Sequence, residues 1–107
     1  SGIYVGAVSE HDEERRIDLG HDHSYTRVVT VDGNWVAINQ WHLDPTTGEE
    51  CVGFVLFDIP EALLVSTKAS PHWQVVSLEP LHLEPSLLCR RCGDHGFIRN
   101  GRWEPCP

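Results

Sequence analysis

Short apolar and β-branched runs, separated by turn residues, dominate this chain of 107 residues. The clearest pair covers residues 25–31 and 35–43, with the sequence Asp-Gly-Asn between them. Gly and Asn tolerate the positive φ angles that tight turns require, so this pattern predicts a β-hairpin. Alternate residues of the second run share a face. One face holds Trp35, Ala37, Asn39 and Trp41, and the other holds Val36, Ile38, Gln40 and His42. Neither face is cleanly polar, which predicts a strand covered on both sides.

Two later runs predict the middle of a sheet. Residues 51–59 form a continuous apolar run between a turn at 44–50 and Pro60, which is typical of a central strand. Residues 73–78 predict another strand. Between them, residues 61–69 predict a short helix with Pro60 as its first residue, and a strand is the alternative.

The remaining segments have weaker patterns. Residues 3–8 predict an opening strand, and the polar residues 9–23 predict a short helix or an ordered loop that stops at Gly20. Prolines at positions 80 and 85 exclude a central strand over residues 79–88 and favour an edge or connector. Asn100-Gly101 predicts a second hairpin over residues 96–103. We therefore expect a mainly β fold, a single antiparallel β-domain with hairpins, with a small α+β fold as the alternative.

The formal net charge of -8 is distributed unevenly along the chain. Residues 1–88 contain fourteen acidic residues against four basic ones, whereas residues 89–107 contain four arginines against two acidic residues. Because an acidic body repels a phosphate backbone, any contact with nucleic acid would use the tail. We expect one domain over residues 1–107, with an acidic β-rich body (1–88) and a basic tail (89–107).

The basic tail also contains a candidate metal site. Cys89-Arg90-Arg91-Cys92-Gly93 has the spacing of a zinc knuckle, in which two thiolates face one ion and glycine permits the tight turn. Cys106 follows the second hairpin, and His95 is the nearest nitrogen donor. The expected ligands of a structural Zn²⁺ are therefore Cys89, Cys92, His95 and Cys106. Since His95 lies cramped against Cys92, His82 or His72 is the alternative fourth ligand.

Other uses of these residues fit less well. Disulfides would need a different framework, because Cys51 stands alone in an apolar run and is expected in the core. A redox C-x-x-C usually begins a helix in a βαβ unit, which this pattern lacks. His42 is likewise expected to be structural. The histidines His11, His21 and His23 would suit a second metal, but an acid-rich solvated loop gives the same pattern.

Two broad classes are disfavoured by the sequence. No apolar stretch reaches the ~18 residues of a membrane helix, and residues 1–20 lack the order of a signal peptide, so we expect a soluble cytoplasmic protein without a membrane partner. The motifs of common nucleophiles, zinc proteases and phosphate loops are missing. On this basis the sequence predicts a protein that is not an enzyme.

Residues 81–103 read L-x-L-E-P-S-L-L-C-x-x-C-G-D-H-G-F-I-R-N-G-R-W. This run resembles the C-terminal signature of a family of short bacteriophage proteins of unknown function, especially from phages of actinobacteria. The resemblance implies that Cys89, Cys92 and His95 belong to one site. Family members end without a cysteine near Cys106, which raises His82 as its alternative. The resemblance also implies a phage or prophage origin, and hence the host bacterial cytoplasm.

Three functions are consistent with these features. The first is a zinc-binding, non-catalytic interaction module that binds a host or phage protein, with exposed tryptophans as anchors. The second is a nucleic-acid-binding zinc module, in which the tail supplies Arg90, Arg91, Arg99, Arg102 and Trp103. The third, which lacks a clear open site, is a metal-dependent hydrolase built around His21, His23 and His42.

Overall fold

The computed structural model describes residues 15–63 and 71–106 of the chain. Its first strands are β1 (Ile17–Gly20), β2 (His23–Val29), β3 (Trp35–Leu43) and β4 (Glu50–Phe57). A helical turn, α1 (Pro60–Leu63), comes next. The later strands are β5 (His72–Leu78), β6 (Leu81–Glu84), β7 (Leu87–Leu88), β8 (His95–Arg99) and β9 (Arg102–Pro105). Within the described residues, no helix has the length and apolar character needed to cross a bilayer.

The strands form two sheets, which confirms the mainly β prediction. The larger sheet has the order β1-β2-β3-β4-β5-β6, and the smaller has the order β7-β8-β9. Neighbouring strands are antiparallel except β4 and β5, which are parallel and pair through Leu56–His72 and Phe57–Trp73. A parallel pair requires a crossover rather than a tight turn, and the connection that contains α1 supplies it.

Both predicted hairpins are confirmed. At the turn between β2 and β3, Gly33 has a φ of 87° and donates its N–H to the carbonyl of Thr30 at 2.9 Å. At the turn between β8 and β9, Asn100 and Gly101 have φ angles of 53° and 72°. Positive φ at both central residues is the requirement of a type I′ turn. Strand β3 is buried on both faces from Val36 to Gln40, as its sequence predicted.

The described part of residues 9–23 differs from the sequence prediction. Instead of a helix or loop ending at Gly20, residues 17–20 form β1, which pairs with β2. The chain reverses at His21 and Asp22, whose φ angles are 54° and 61°, and the Leu19 side chain is buried in the main core. The predicted strand at 3–8 lies outside the described residues. The predicted helix begins at Pro60 as expected, and its later part also lies outside them.

The main core lies between the two sheets. From the larger sheet it takes Ile38, Val55 and Phe57, and from the smaller sheet Ile98 and Trp103. Each fully buried side chain of this size contributes about 1.5–3 kcal/mol through apolar burial. The C-terminal hairpin is therefore an integral layer of the fold, with β8 beside β6 and β9 beside β1. Strand β6 lies at the edge of the larger sheet, which confirms the prediction from its flanking prolines.

Gly96 marks the closest contact within the smaller sheet. A Cβ atom there would lie 2.5 Å from Cζ2 of Trp103 and 2.6 Å from the carbonyl oxygen of Glu104. Since neither the packed indole nor the backbone can retreat cheaply, we expect Gly96→Ala to lower the free energy of unfolding by about 1–3 kcal/mol. Urea denaturation checks this. In the control Gly53→Ala, a Cβ meets nothing within 4 Å, and the expected change is within about 0.5 kcal/mol. Equal midpoints for the two variants would contradict the prediction.

Glu84 connects β6 to β8. Its carboxylate accepts hydrogen bonds from His82 Nε2 at 2.8 Å and Arg99 Nε at 3.2 Å, and these bonds lower its pKa below the ordinary value. A lowered folded-state pKa contributes stability above the unfolded pKa of about 4.3, and this contribution is lost as the pH falls through the folded value.

We therefore expect Glu84→Gln to be less stable than the parent at pH 7, with the difference shrinking below about pH 4. The readout is the difference in unfolding free energy between the two proteins across pH, so any acid effect common to both cancels. Glu79→Gln is the control, because Glu79 pairs with Arg27 through exposed side chains and such pairs contribute little. If the difference in unfolding free energy between Glu84→Gln and the parent did not change with pH, the lowered pKa of Glu84 would be contradicted.

Candidate functional site

A row of three polar side chains crosses the larger sheet. His23 on β2 pairs in register with His42 on β3, and His42 pairs in register with Cys51 on β4. All three residues are buried. Buried polar groups on adjacent strands need partners, and these come from the connection between β7 and β8.

The β7–β8 connection forms a tight turn around two cysteines. Cys89 donates its N–H to the carbonyl of Asp94 at 2.8 Å and accepts at its own carbonyl from the N–H of Gly93 at 2.7 Å. Gly93 has a φ of 82°, which glycine adopts without strain. Backbone N–H groups of Arg91 and Cys92 point at the Cys89 sulfur. The turn is tight, and the thiols of Cys89 and Cys92 lie beside His42 and Cys51 of the row on the sheet.

Together these elements form a four-residue cluster that could hold a metal ion. The ligand atoms of His42, Cys51, Cys89 and Cys92 all lie within 4.8 Å of one another, and His42 Nε2 lies 3.3 Å from Cys92 Sγ. In a tetrahedral zinc site with Zn–S bonds of about 2.3 Å, neighbouring sulfurs are about 3.8 Å apart. The residues present therefore fit a tetrahedral ion with three sulfur ligands and one nitrogen ligand.

Hydrogen bonding prepares His42 to act as a ligand. Its Nδ1 lies 2.9 Å from Oε1 of Gln40, which is an acceptor, so Nδ1 carries the proton and Nε2 presents its lone pair to the sulfurs. Burial lowers the pKa of His42, which keeps the ring neutral near pH 7. A neutral imidazole fixed through its other nitrogen is the usual arrangement of a metal-bound histidine.

The three thiols are not equivalent. Burial raises the pKa of Cys51 to about 11, and burial also raises the pKa of Cys92. At Cys89 burial acts in the same direction, but the N–H groups of Cys92 and Arg91 outweigh it and lower the pKa of that thiol. Cys89 is thus the thiol that loses its proton most readily of the three, and metal binding would favour the thiolate form of all three.

A second group, His23, His42 and Asp94, adjoins the first and shares His42 with it. His23 Nδ1 lies 2.6 Å from the carbonyl of His21, and Nε2 lies 2.6 Å from Oδ2 of Asp94. Both ring nitrogens of His23 therefore have a polar partner. The His23 ring also stacks on Trp103 at 4.0 Å between centroids. The group therefore ties the knuckle and the C-terminal hairpin to the sheet.

The sequence-predicted metal ligands are distributed over two places. Cys89 and Cys92 lie in the four-residue cluster, whereas His95 is exposed and Cys106 donates its backbone N–H to the His95 carbonyl at 2.9 Å. His82 is bonded to Glu84, and His72 lies in β5. His21 is exposed in the turn after β1, and His11 lies outside the described residues. Within the described residues, the two candidate clusters contain none of His21, His72, His82, His95 and Cys106.

His95 instead faces a serine. Its Nε2 lies 2.8 Å from Oγ of Ser86, at a partly solvent-accessible position between β6 and β8. The backbones of both residues are anchored, because Trp73 Nε1 donates to the Ser86 carbonyl at 3.2 Å and Cys106 donates to the His95 carbonyl. No carboxylate among the described residues bonds to the other ring nitrogen of His95. A hydroxyl within hydrogen-bond distance of an imidazole is the minimal arrangement of an activated serine nucleophile.

The tail arginines are partly neutralised by the acidic body. Arg91 pairs with Glu49 at 3.0 Å, and Arg99 pairs with Glu84 at 3.2 Å and Glu104 at 3.5 Å. These contacts are exposed or half-exposed, so each contributes little to stability. They nevertheless reduce the positive field that phosphate binding by the tail would use.

Comparisons with known proteins gave one family match. A family model described as "Bacterial ubiquitination-like system serine protease (BubE)" matches residues 59–106, which is a little under half of the chain. Searches of curated proteins and of solved structures found no match. The matched segment contains Ser86, His95 and the two knuckle cysteines. It points to a family from a bacterial system, whereas the resemblance to phage proteins stays a prediction.

The match corrects one sequence prediction. The absence of standard nucleophile motifs predicted a protein that is not an enzyme, but the matching family is named for a serine protease. The contact between Ser86 and His95 fits none of those motifs, because the two residues are nine positions apart and are brought together by the pairing of β7 with β8. Their symmetric placement, three residues before Cys89 and three residues after Cys92, was the signal in the sequence for this contact.

Proposed function

We propose that this protein is a serine hydrolase of the peptidase class, with Ser86 as the nucleophile and His95 as the general base. The observation that carries the proposal is the 2.8 Å contact between Ser86 Oγ and His95 Nε2 at an accessible position. The serine protease family that matches this segment supports the same assignment.

The chemistry follows from the two side chains. Ser86 Oγ attacks a carbonyl carbon while its proton passes to His95 Nε2, and collapse of the tetrahedral intermediate transfers that proton to the leaving amine. Water then repeats the sequence and releases the acyl group from Ser86. The indole of Trp73 and the backbone N–H of Cys106 hold the two residues in register through the cycle.

We further propose that His42, Cys51, Cys89 and Cys92 bind one structural Zn²⁺. The thiolate-rich donor set suits zinc, and four protein ligands leave no position for a catalytic water. The knuckle lies between Ser86 and His95 in sequence, so the metal fixes the loop on which their contact depends. This set keeps Cys89 and Cys92 from the sequence prediction and replaces His95 and Cys106 with His42 and Cys51.

A polypeptide is the proposed partner, as an acyl donor in a bacterial ubiquitination-like system of the kind named by the matching family. A nucleic-acid partner is less well supported, because Arg91 and Arg99 are paired with carboxylates.

Labelling with a fluorophosphonate tests the hydrolase proposal, because this probe modifies serines that an adjacent base activates. We expect the zinc-loaded protein to be labelled at Ser86, with loss of labelling in His95→Ala. Mass spectrometry of the labelled peptide identifies the residue. Labelling that is absent, or that persists in His95→Ala, would overturn the proposal.

A further inference from the structure

A groove of about 290 Å³ lies next to the segment that follows Ser86 in the chain. Leu87 and Leu88, the two residues that follow Ser86, line it, as does Trp73, whose indole binds the Ser86 carbonyl. The other wall belongs to β4, where Val52 and Phe54 line the groove. The groove therefore lies between β4 and β7, and its lining residues Leu87 and Trp73 connect it to the proposed nucleophile through the chain and through the hydrogen bond to the Ser86 carbonyl.

The walls of the groove are apolar and partly open to solvent. Leu88 is 58% exposed and Val52 is 54% exposed, although both are large apolar residues in strands. Exposed apolar side chains that converge on one concave surface mark a binding site rather than ordinary surface. An extended chain lying between two strands would place alternate side chains against these walls.

The rim of the groove carries positive charge on an otherwise acidic protein. Arg90 and Arg91 line it, and Arg90 makes no ion pair within the described residues. Arg91 is paired with Glu49, but both side chains are more than half exposed, so an incoming carboxylate can replace Glu49 at small cost. The acidic group in the groove, Asp94, is already paired with His23.

From these features we propose that the groove binds an extended acidic-apolar peptide segment. In this proposal, apolar side chains of the peptide contact Val52, Leu88 and Trp73, and carboxylates of the same peptide bind Arg90 and Arg91. Because Arg90 follows Ser86 by four positions and a strand advances about 3.3 Å per residue, the two are at most about 13 Å apart, which roughly four peptide residues span. The identification of this segment as substrate rests on the proposed role of Ser86.

The test uses the zinc-loaded Ser86→Ala protein, which cannot turn a peptide over. The probe is a fluorescein-labelled decapeptide with two adjacent leucines followed by two glutamates, and binding is read by fluorescence anisotropy. We expect binding that weakens at least about tenfold when the leucines become serines or the glutamates become lysines. We also expect it to weaken with salt, since exposed charges are screened.

Paired variants locate the binding site. Val52→Asp is expected to weaken binding at least about tenfold and Arg90→Glu at least about fivefold. Val76→Asp is the matched control, because Val76 is 53% exposed on β5 and does not line the groove, and we expect it to bind like the parent. Equal effects of the two valine variants, or equal binding of the glutamate and lysine peptides, would overturn the inference.

The same protein preparations separate this inference from the proposed function. Peptide binding with the expected pattern, together with failure of fluorophosphonate to label Ser86 in the wild-type protein, would retain the groove and remove the hydrolase. Labelling of Ser86 without selective peptide binding would retain the hydrolase proposal and overturn the inference about the groove.

Discussion

Replacing Cys51 with serine is expected to reduce bound zinc from one ion per chain to near zero, and Cys89→Ser and His42→Ala should do the same. Each change removes one of four ligands, and a structural zinc contributes an apparent binding free energy of about 10–16 kcal/mol. Small domains have total stabilities of only about 5–15 kcal/mol. We therefore expect these variants to be largely unfolded or to melt at least about 10 °C lower.

The control variants for this prediction are Cys106→Ser and His95→Ala. Neither residue belongs to the four-residue cluster, so both variants should retain one zinc ion and melt close to the parent. Metal content measured by elemental mass spectrometry, alongside thermal denaturation, checks each variant. The ligand set expected from sequence alone makes the opposite predictions. It predicts loss of zinc in Cys106→Ser and His95→Ala, and retention of zinc in Cys51→Ser and His42→Ala. Loss of zinc in Cys106→Ser with retention in Cys51→Ser would restore that set.

The sequence was sufficient for the hairpins because their signals are local. Gly33, Asn100 and Gly101 adopt positive φ angles that few other residues tolerate, and apolar residues flank both turns. The knuckle turn was also predictable, since Gly93 and the cysteine spacing specify it together. Strand β1 was missed because Ile17 and Leu19 alone gave too short a pattern, and its pairing with β2 overrides the polar composition around it.

The complete metal cluster depends on contacts that are distant in sequence. His42 and Cys51 looked like core residues, and both are buried, but their position opposite each other across β3 and β4 brings them to the knuckle. A usable signal existed in the turn at 44–50. Closing that turn with Leu43 opposite Glu50 places His42 opposite Cys51. What the sequence could not supply is the docking of the smaller sheet on this face, which the buried Ile98 and Trp103 produce.

That docking also explains why the candidate metal cluster and the contact between Ser86 and His95 lie so close together. The knuckle occupies the connection between β7 and β8. The strands that flank it pair through Leu88 with His95 and through Leu87 with Gly96. Ser86 precedes the first of these strands and His95 begins the second. Binding of the proposed zinc ion would therefore constrain the separation of Oγ and Nε2, which the proposed catalysis requires to within a fraction of an ångström.

Replacing Ser86 with alanine is expected to lower the rate of p-nitrophenyl acetate hydrolysis by about 10³-fold or more, which corresponds to about 4 kcal/mol of transition-state stabilisation. His95→Ala should have a similar effect. The double variant should be no slower than either single variant, because a nucleophile and its base act as one unit. Zinc content and melting temperature should be unchanged in all three, since neither side chain belongs to the metal cluster.

Matched substitutions and metal exchange distinguish this mechanism from its competitors. Ser77→Ala changes a serine of β5 outside the site and should retain full activity, as should His82→Gln. Replacement of zinc by cadmium should also retain activity, because a structural ion holds the turn without touching the carbonyl, whereas a metal-dependent hydrolase would respond strongly to the exchange. A cadmium protein that is folded but inactive, combined with an active Ser86→Ala variant, would transfer the catalytic role from Ser86 to the metal.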